Sequence, residues 1–243
     1  MSRIAEDAWI GDNVEIGEGV IIGPGAVIHD NVRIGDYTVV GAYVTLGEPL
    51  AAFYSDPNYR NPPTIIGPHS VFRTGARLYA GNTVGAYFEA GQYATMREYC
   101  TFGDYCRFDA FAQTDPYVTA GNYCHLHYKV IIASFNLLED YVVFYPYSAA
   151  ADSIHPPCGE CRQGSHIEKY VVVGAHALIF PGLRIGEGAV ICHGAMVNKS
   201  VPPGRVVSGI PAKDVGAARA LECDRDIYAR AYPWRMNLPD FRP

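Results

Sequence analysis

Asp109 and His127 are the residues of this sequence best suited to transfer a proton, and they lie 18 positions apart. A carboxylate beside an imidazole orients the ring and stabilises its charged form, which leaves the second ring nitrogen to act as a general base. His127 is therefore our candidate base, with Asp109 as its partner, provided that the fold brings the two side chains together. The other seven histidines rank lower for this role.

A six-residue hydrophobic repeat indicates what that fold is. It occupies 29 positions, of which 28 are apolar and one is Thr114. The positions fall in three blocks, from Ile4 to Leu46, from Ile66 to Ala150 and from Ile167 to Val197. A period of six is typical of neither a helix nor an ordinary strand, but three such hexads make one 18-residue coil of a solenoid. The sequence thus predicts an all-β solenoid of about ten coils.

Within each coil, we expect the repeated residue to mark a corner and point inward. The glycine that often follows it is expected to permit a tight turn. Residues 18 apart then lie above one another, with about 4.8 Å between coils. Asp109 should therefore lie one coil from His127. Gln92 should lie on the same corner two coils away, whereas Glu98 and Asp152 share a neighbouring face.

Two excursions and the C-terminal segment depart from the repeat. Residues 47–65 and 151–166 are predicted to project as loops from a β-helical unit that spans residues 1–213. Residues 214–243 are predicted to form a short helix, over 214–230 with Asp214 as its N-cap, and a tail. The helix would cover the open end of the solenoid, where strand edges are otherwise exposed.

Composition argues against several kinds of partner. The net charge of −6 disfavours nucleic acid, which requires a basic surface, and no apolar run approaches the roughly 18 residues of a membrane span. The charged first residues contain no apolar signal region, so we expect a cytoplasmic protein. Cys100, Cys106 and Cys124 share one repeat position and are expected to be buried. Cys158 and Cys161 form a lone CxxC pair, and because a zinc site needs about four ligands, no metal is expected.

Three segments carry a likeness to a known family. They are FRTGARLYAGNTVGAYFEAGQYATMRE followed by TFGDYC, then LHYKVIIASFNLLEDYVVFYPYSAAADSIHPPCGEC, and finally PGLRIGEGAVICHGAMVNKSVPPGRVVSGIPAKDVG. Together they resemble the sugar-modifying N- and O-acyltransferases of the hexapeptide superfamily. The resemblance covers most of the chain and implies a left-handed parallel β-helix that assembles as a homotrimer, with each site between neighbouring subunits. It also implies transfer of an acyl group, by default acetyl, from coenzyme A to a sugar or nucleotide-linked sugar.

The stacking of coils nominates the acceptor contacts: Glu98 and Asp152 would hold its amino or hydroxyl groups, Arg97 would face a phosphate, and Gln92 would contact the sugar. The coenzyme contacts are those that the resemblance implies. Acetyl-CoA, or another acyl-CoA, would contact Gly174, Ala175, His193, Lys199, Arg205, Ser208, Pro211 and Lys213. In this set the small residues would leave room for the pantetheine arm, and the cationic residues would lie near the phosphates.

One position departs from the family pattern. Where that pattern has a catalytic histidine in Thr-Gly-His, this chain has Ala90-Gly91-Gln92, and glutamine cannot take up a proton. Either the base lies elsewhere, as at His127, or the acceptor needs no base, or the chain has lost activity. An amine is partly neutral already, so the glutamine favours an amine acceptor over a hydroxyl. The alternatives are a non-catalytic binding or scaffold protein and a metalloenzyme resembling the gamma-class carbonic anhydrases.

Overall fold

In the computed structural model, residues 2–154, 160–222 and 231 of the 243-residue chain are described, and they contain 31 short strands. Eight strands precede the first loop: β1 (Arg3–Ile4), β2 (Trp9–Ile10), β3 (Glu15–Ile16), β4 (Ile21–Ile22), β5 (Val27–Ile28), β6 (Val32–Ile34), β7 (Val39–Val40) and β8 (Thr45–Glu48). Fifteen lie between the loops: β9 (Thr64–Ile66), β10 (Val71–Phe72), β11 (Arg77–Tyr79), β12 (Thr83–Val84), β13 (Glu89–Ala90), β14 (Thr95–Met96), β15 (Thr101–Phe102), β16 (Arg107–Phe108), β17 (Gln113–Thr114), β18 (Thr119–Ala120), β19 (His125–Leu126), β20 (Ile131–Ile132), β21 (Leu137–Leu138), β22 (Val143–Phe144) and β23 (Ala149–Ala150). Eight follow the second loop: β24 (His166–Ile167), β25 (Val172–Val173), β26 (Leu178–Ile179), β27 (Arg184–Ile185), β28 (Val190–Ile191), β29 (Met196–Val197), β30 (Arg205–Ser208) and β31 (Lys213–Ala217).

The strands form three sheets, because strands three apart in the chain are hydrogen-bonded neighbours as far as β29, and β30 and β31 then extend the first sheet. We call them sheet A, which begins with β1, sheet B, which begins with β2, and sheet C, which begins with β3. Strand β16 pairs in parallel with β19, and Phe108 lies opposite Leu126, 18 residues further along. The architecture is the left-handed parallel β-helix that the resemblance implies. Within the described residues, sheet A has eleven parallel strands, because β30 adds a coil to the ten that the repeat predicts.

The repeated residues form the core. Each of the strands β1–β29 contains one of them, and from Ile22 onward all of them are buried. Phe72, Phe108 and Phe144 are among the largest, and each exposes 2% of its surface or less. Thr114, the one polar member, is also buried, with its hydroxyl 3.6 Å from the thiol of Cys100. The core is therefore one continuous apolar column along the axis of the helix.

The turns lie at positions other than the predicted ones. The repeated residue sits within the strand, and the chain turns over the second and third residues after it. The third has a positive φ, as at Gly75 (72°) and Tyr105 (57°). The glycine directly after the strand has another purpose, because a Cβ at Gly91 would lie 2.6 Å from the backbone nitrogen of Ala110 in the next coil. The prediction that this glycine makes the turn is wrong, since it serves instead to let adjacent coils approach closely.

Aromatic side chains occupy many of the positive-φ positions and stack along the corners. On the corner between sheets C and A, the ring centroids of Tyr87 and Tyr105 lie 4.7 Å apart, and those of Tyr105 and Tyr123 lie 4.9 Å apart. We call this stack the tyrosine ladder. A left-handed conformation costs a non-glycine residue roughly 1–2 kcal/mol, and an aromatic pair contributes about 0.5–1.5 kcal/mol beyond its buried area. Ring stacking thus offsets much of the backbone strain.

Two loops interrupt the strands, and both are shorter than the predicted ranges 47–65 and 151–166, because the end residues of those ranges belong to strands β8, β9 and β24. The first runs from residue 49 to 63 and contains a 3-10 turn at Ala51–Tyr54. The second connects β23 to β24, and its residues 155–159 lie outside the described part of the chain. In the described residues, no helix is long and apolar enough to cross a membrane.

The predicted C-terminal helix does not begin at Asp214. Instead, β31 pairs antiparallel with β30, and Ser208 lies opposite Lys213. A 3-10 turn at Ala218–Ala220 follows. The edge of β30 presents unpaired backbone groups, and a strand satisfies them where a helix would not. Residues 223–230, the rest of the predicted helix, lie outside the described residues.

Candidate functional site

The structure brings Asp109 and His127 together, as their spacing predicts. They follow the paired strands β16 and β19, and the amide of Asp109 donates to the carbonyl of Leu126 at 2.8 Å. The residues directly before them, Phe108 and Leu126, point into the core. Asp109 and His127 therefore point outward from sheet A. Nδ1 of His127 lies 2.9 Å from Oδ2 of Asp109. The imidazole is thus held by the carboxylate through one nitrogen, and Nε2 is left to accept a proton.

Asp109 is surrounded by cationic and imidazole groups. Its Oδ1 lies 2.9 Å from Nε of Arg107 and 3.2 Å from Nε2 of His125. Burial would raise the pKa of Asp109, but the contacts with His125 and His127 and the charge of Arg107 outweigh it, so the pKa lies well below its usual range. Asp109 therefore stays ionised and is suited to stabilise an imidazolium.

The ring of His127 is also held from both sides. Its centroid lies 3.8 Å from that of His125 and 4.9 Å from that of Tyr145. About a quarter of the His127 side chain remains exposed. The sequence-based prediction did not single out His125, although its spacing is the available signal, because residues i and i+2 of a strand share one face. The ring is therefore fixed in orientation and still reachable.

Gln92 lies on the same corner, two coils from His127, and is exposed. A cavity of about 430 Å³ lies beside this corner and is lined by Tyr93, Phe111 and Lys129. Nζ of Lys129 lies 5.2 Å from the ring centroid of Tyr128. In the described part of the chain, Lys129 forms contacts with aromatic rings and no ion pair. The sequence-based prediction missed this cation.

Three predicted acceptor contacts lie on a different corner, between sheets B and C. Arg97 forms a bidentate pair with Glu98, with distances of 2.8 and 3.0 Å. Asp152 accepts from Arg162 of the second loop at 2.6 Å. Burial and the neighbouring charge of Asp152 raise the pKa of Asp115, which lies between them. The predicted set is thus divided: Gln92 lies near the candidate base, whereas these residues share no corner with it in one chain.

The predicted coenzyme contacts begin one coil beyond Tyr145. The ring of His193 lies 6.2 Å from the ring of Tyr145, so the corner with the candidate base continues to this residue. The amide of Ala175 donates to Nδ1 of His193 at 2.8 Å. A Cβ at Gly174 would lie 2.6 Å from the amide nitrogen of His193. The next coil therefore fills the space beside Gly174. The close approach of the two coils explains the glycine at this position, without the predicted room for a pantetheine arm.

The predicted phosphate contacts differ in their surroundings. Arg205 forms a bidentate ion pair with Asp214, with distances of 2.6 and 2.7 Å, and its charge is balanced there. Lys199 and Lys213 are exposed and form no ion pair within the described residues. Ser208 ends β30, and Pro211 follows a cis peptide bond in the turn to β31. Of the three predicted cations, the two lysines are therefore the ones available to a phosphate.

The predicted cysteine environments are confirmed where the structure describes them. Cys100, Cys106 and Cys124 are buried in the core. Burial raises the pKa of the Cys100 thiol to about 11, so it stays protonated. Cys161 is exposed, and Cys158 lies outside the described residues.

Three parallel sheets built from a six-residue repeat define this protein as a β-helix of the hexapeptide-repeat class. Residues 13–48 match the protein family described as "Bacterial transferase hexapeptide (six repeats)". A stretch of 56 residues is 45% identical to the 2,3,4,5-tetrahydropyridine-2,6-dicarboxylate N-acetyltransferase of Staphylococcus aureus (strain Newman). This stretch makes up 23% of this chain and 23% of that protein.

Two solved structures are also similar. The Bacillus cereus N-acyltransferase AntD, in complex with dTDP and 3-hydroxybutyryl-CoA, is 20% identical, with a TM-score of 0.46 over 61% of this chain and 82% of that chain. The UDP-N-acetylglucosamine acyltransferase of Francisella novicida is 20% identical, with a TM-score of 0.49 over 97% of this chain and 74% of that chain. Both likenesses are weak, so the fold of this chain is established by its own strand pairing.

Proposed function

We propose that this protein transfers an acyl group, by default acetyl, from an acyl-CoA to an amino group of a sugar or nucleotide-linked sugar. The observation that carries the proposal is the 2.9 Å contact between Nδ1 of His127 and Oδ2 of Asp109. It supplies an oriented base where Gln92 cannot act as one. The partial match to an N-acetyltransferase and to the hexapeptide transferase family supports the same class of reaction.

In the proposed reaction, Nε2 of His127 removes a proton from the acceptor nitrogen as that nitrogen attacks the thioester carbonyl. A carbon–nitrogen bond forms, and the tetrahedral intermediate then collapses as the carbon–sulfur bond breaks. Coenzyme A leaves as a thiolate and takes the proton back from His127. Asp109 stabilises the imidazolium that exists between the two proton transfers, because it remains ionised. A hydroxyl acceptor, which depends more on a base, is the second candidate that the same pair supports.

A nucleotide-linked acceptor is supported by the surroundings of Lys129. This cation and the rings of Tyr93, Phe111 and Tyr147 line the cavity on the corner of His127. A cation among aromatic rings suits a ligand that joins an anionic group to a flat ring, as a nucleotide does. Acyl-CoA would bind further along the corner, near His193, Lys199 and Lys213.

Assembly as a homotrimer is part of the proposal. Exposed rings such as Tyr93, Phe111 and Tyr147 form a large aromatic surface, which in soluble proteins marks an interaction site. Neighbouring subunits would bring the acidic corner of one chain, with Glu98 and Asp152, towards His127 of the next. Light scattering should give about three times the 26.6 kDa chain mass. A mass equal to that of one chain would contradict the trimer and the shared site.

The proposed activity is tested by a panel of acceptors. Purified protein is mixed with acetyl-CoA and, one at a time, with nucleotide-linked amino sugars and their hydroxy analogues. Thiol release measures turnover, and mass spectrometry of the product identifies the acylated atom. We expect product with an amino sugar and an amide bond. Binding of acetyl-CoA without thiol release for any acceptor would favour a non-catalytic binding protein.

A further inference from the structure

Two histidines and one carboxylate converge on the outer face of sheet A. His125 and His127 flank Leu126, which is buried, so both imidazoles point out of the same side of β19. Asp109 follows the neighbouring strand. One ligand atom from each of the three side chains lies within 4.8 Å of the other two. No other such group of histidine, cysteine and carboxylate side chains is found among the described residues.

One atom of this cluster lacks a hydrogen bond. Nε2 of His125 is buried, and although it lies 3.2 Å from Oδ1 of Asp109, it is not aligned to bond to it. A buried polar atom without a partner costs about 1–3 kcal/mol. A bound cation would satisfy the nitrogen lone pair directly. This second observation points to a ligand that the three side chains share.

From these two observations, we propose that Asp109, His125 and His127 form a binding site for a divalent transition-metal cation such as Zn²⁺. Imidazole nitrogen and carboxylate oxygen are ligands that zinc prefers, and three protein ligands leave one position open. Bonds of about 2.0–2.1 Å in a tetrahedral site place the ligand atoms roughly 3.3 Å apart. Oδ2 of Asp109 lies 2.9 Å from Nδ1 of His127, and the ligand atoms of all three residues lie within 4.8 Å of one another, so small side-chain movements would bring them to these separations.

Arg107 is the neighbouring group that opposes a cation. Its Nε contacts Oδ1 of Asp109 at 2.9 Å, which leaves Oδ2 as the oxygen for the ion. Glu89, on the preceding coil, lies 3.7 Å from the same guanidinium and offsets part of its charge. The expectation that no metal binds was argued from the cysteine pair Cys158 and Cys161. The proposed site contains neither cysteine.

Occupation of this site has a consequence for the proposed chemistry. A cation bound to Nδ1 of His127 would separate the imidazole from Asp109, and the base would lose its oriented partner. The ion is thus expected to inhibit acyl transfer and not to assist it. This consequence rests on the proposed function, whereas the binding of the ion does not.

Binding is measured without any substrate. Chelator-treated protein is titrated with Zn²⁺ by calorimetry, and with Co²⁺, whose visible absorption reports its coordination. We expect one ion per chain. His125→Asn should weaken Zn²⁺ binding by about 100-fold or more, since the loss of even an outer-shell partner costs about 10- to 100-fold. His166→Asn is the matched control, because His166 also contacts a carboxylate, Glu139 at 2.8 Å, but lacks the third ligand. It should bind as the wild type does.

The wild-type protein alone gives a second, independent test. X-ray absorption of the zinc-loaded protein should show imidazole nitrogens and no sulfur in the first shell. A shell containing sulfur would assign the ion to a site that includes a cysteine and would overturn the proposal. It would also be overturned by wild-type protein that binds no Zn²⁺, or by equal affinities of folded His125→Asn and wild type. Because no acceptor or acyl-CoA is present, these results do not depend on whether the protein is an acyltransferase.

Discussion

The amide of Ala175 donates a 2.8 Å hydrogen bond to Nδ1 of His193, which lies one coil further along the same corner. This bond fixes the corner where acyl-CoA is proposed to bind. Asparagine can replace the accepting nitrogen with its side-chain oxygen, whereas alanine leaves the amide without its partner. We therefore expect His193→Ala to weaken acetyl-CoA binding about fivefold, the equivalent of one hydrogen bond of about 1 kcal/mol. His193→Asn should bind nearly as tightly as the wild type in the same calorimetric titration, and equal losses in both variants would contradict this role.

Arg205 and Asp214 provide a test of the coenzyme end. Their ion pair balances the arginine charge, so removal of the carboxylate by Asp214→Asn should free the guanidinium and tighten acetyl-CoA binding. Arg205→Ala should weaken binding because it leaves the Asp214 carboxylate without its cation near the phosphates, and it should make the remaining affinity less sensitive to salt. Lys199→Ala, which removes a cation without an ion-pair partner in the described residues, is the comparison variant. Unchanged affinity in all three would mean that the coenzyme phosphates bind elsewhere.

The stability of the last coils should depend on pH through Glu168. Burial would raise the pKa of this carboxyl, but the Glu187 amide and the Arg184 guanidinium donate to it and lower its pKa below the ordinary 4.5. Its stabilising effect is therefore complete above that value and is lost as the pH falls through the lower value of the folded state. Glu168→Gln should reduce the free energy of unfolding by about 1–3 kcal/mol at neutral pH. Urea titrations at about pH 3.5 should show a smaller difference.

Glu187→Gln is the control for this experiment, because Glu187 is exposed and contributes only its backbone amide to the contact. It should behave as the wild type at both pH values, at the same protein concentration. A Glu168→Gln difference that is the same at both pH values would show that the ionised carboxylate is not the cause.

The tyrosine ladder predicts an unusual order of stabilities at Tyr105. This residue has a φ of 57°, a conformation that glycine adopts without strain and alanine does not. Both Tyr105→Gly and Tyr105→Ala lose the stacked ring, but only the alanine variant keeps the strain of roughly 1–2 kcal/mol. The unfolded glycine variant is more flexible than the unfolded alanine variant, which destabilises the folded glycine variant and cancels about half of this advantage. Thermal unfolding should rank the wild type first, glycine second and alanine last. The reverse order of the two variants would show that backbone strain does not decide their stabilities.

Regular spacing made much of this structure predictable. Each of the 29 repeated residues lies in a strand, and the 18-residue register places Asp109 against His127. The turn position was mistaken because a glycine after a strand fits either a turn or close stacking, and only the next coil decides between them. The strand at Lys213–Ala217 was missed because it depends on pairing with the edge of β30, which no local pattern reports.

The six-residue repeat does not predict the contacts that the loops make. Arg162 reaches back to Asp152 from the second loop, where residues no longer follow the period of 18. The separation of Gln92 from Arg97 and Glu98 has a related cause. Residues a few positions apart in the chain lie on different corners of the β-helix, so closeness in sequence does not show that two residues belong to one site.

The turnover number of His127→Asn tests the proposed role of His127 most directly. Asparagine keeps a polar side chain of similar reach but cannot accept a proton. With the acceptor that the panel identifies, we expect kcat to fall by about 10²–10⁴, the usual effect of losing a positioned base, while acetyl-CoA affinity and thermal stability stay at wild-type values. Asp109→Asn should lower kcat less, since it orients the imidazole and does not itself take the proton. A kcat for His127→Asn equal to that of the wild type would contradict the assignment of His127 as the base.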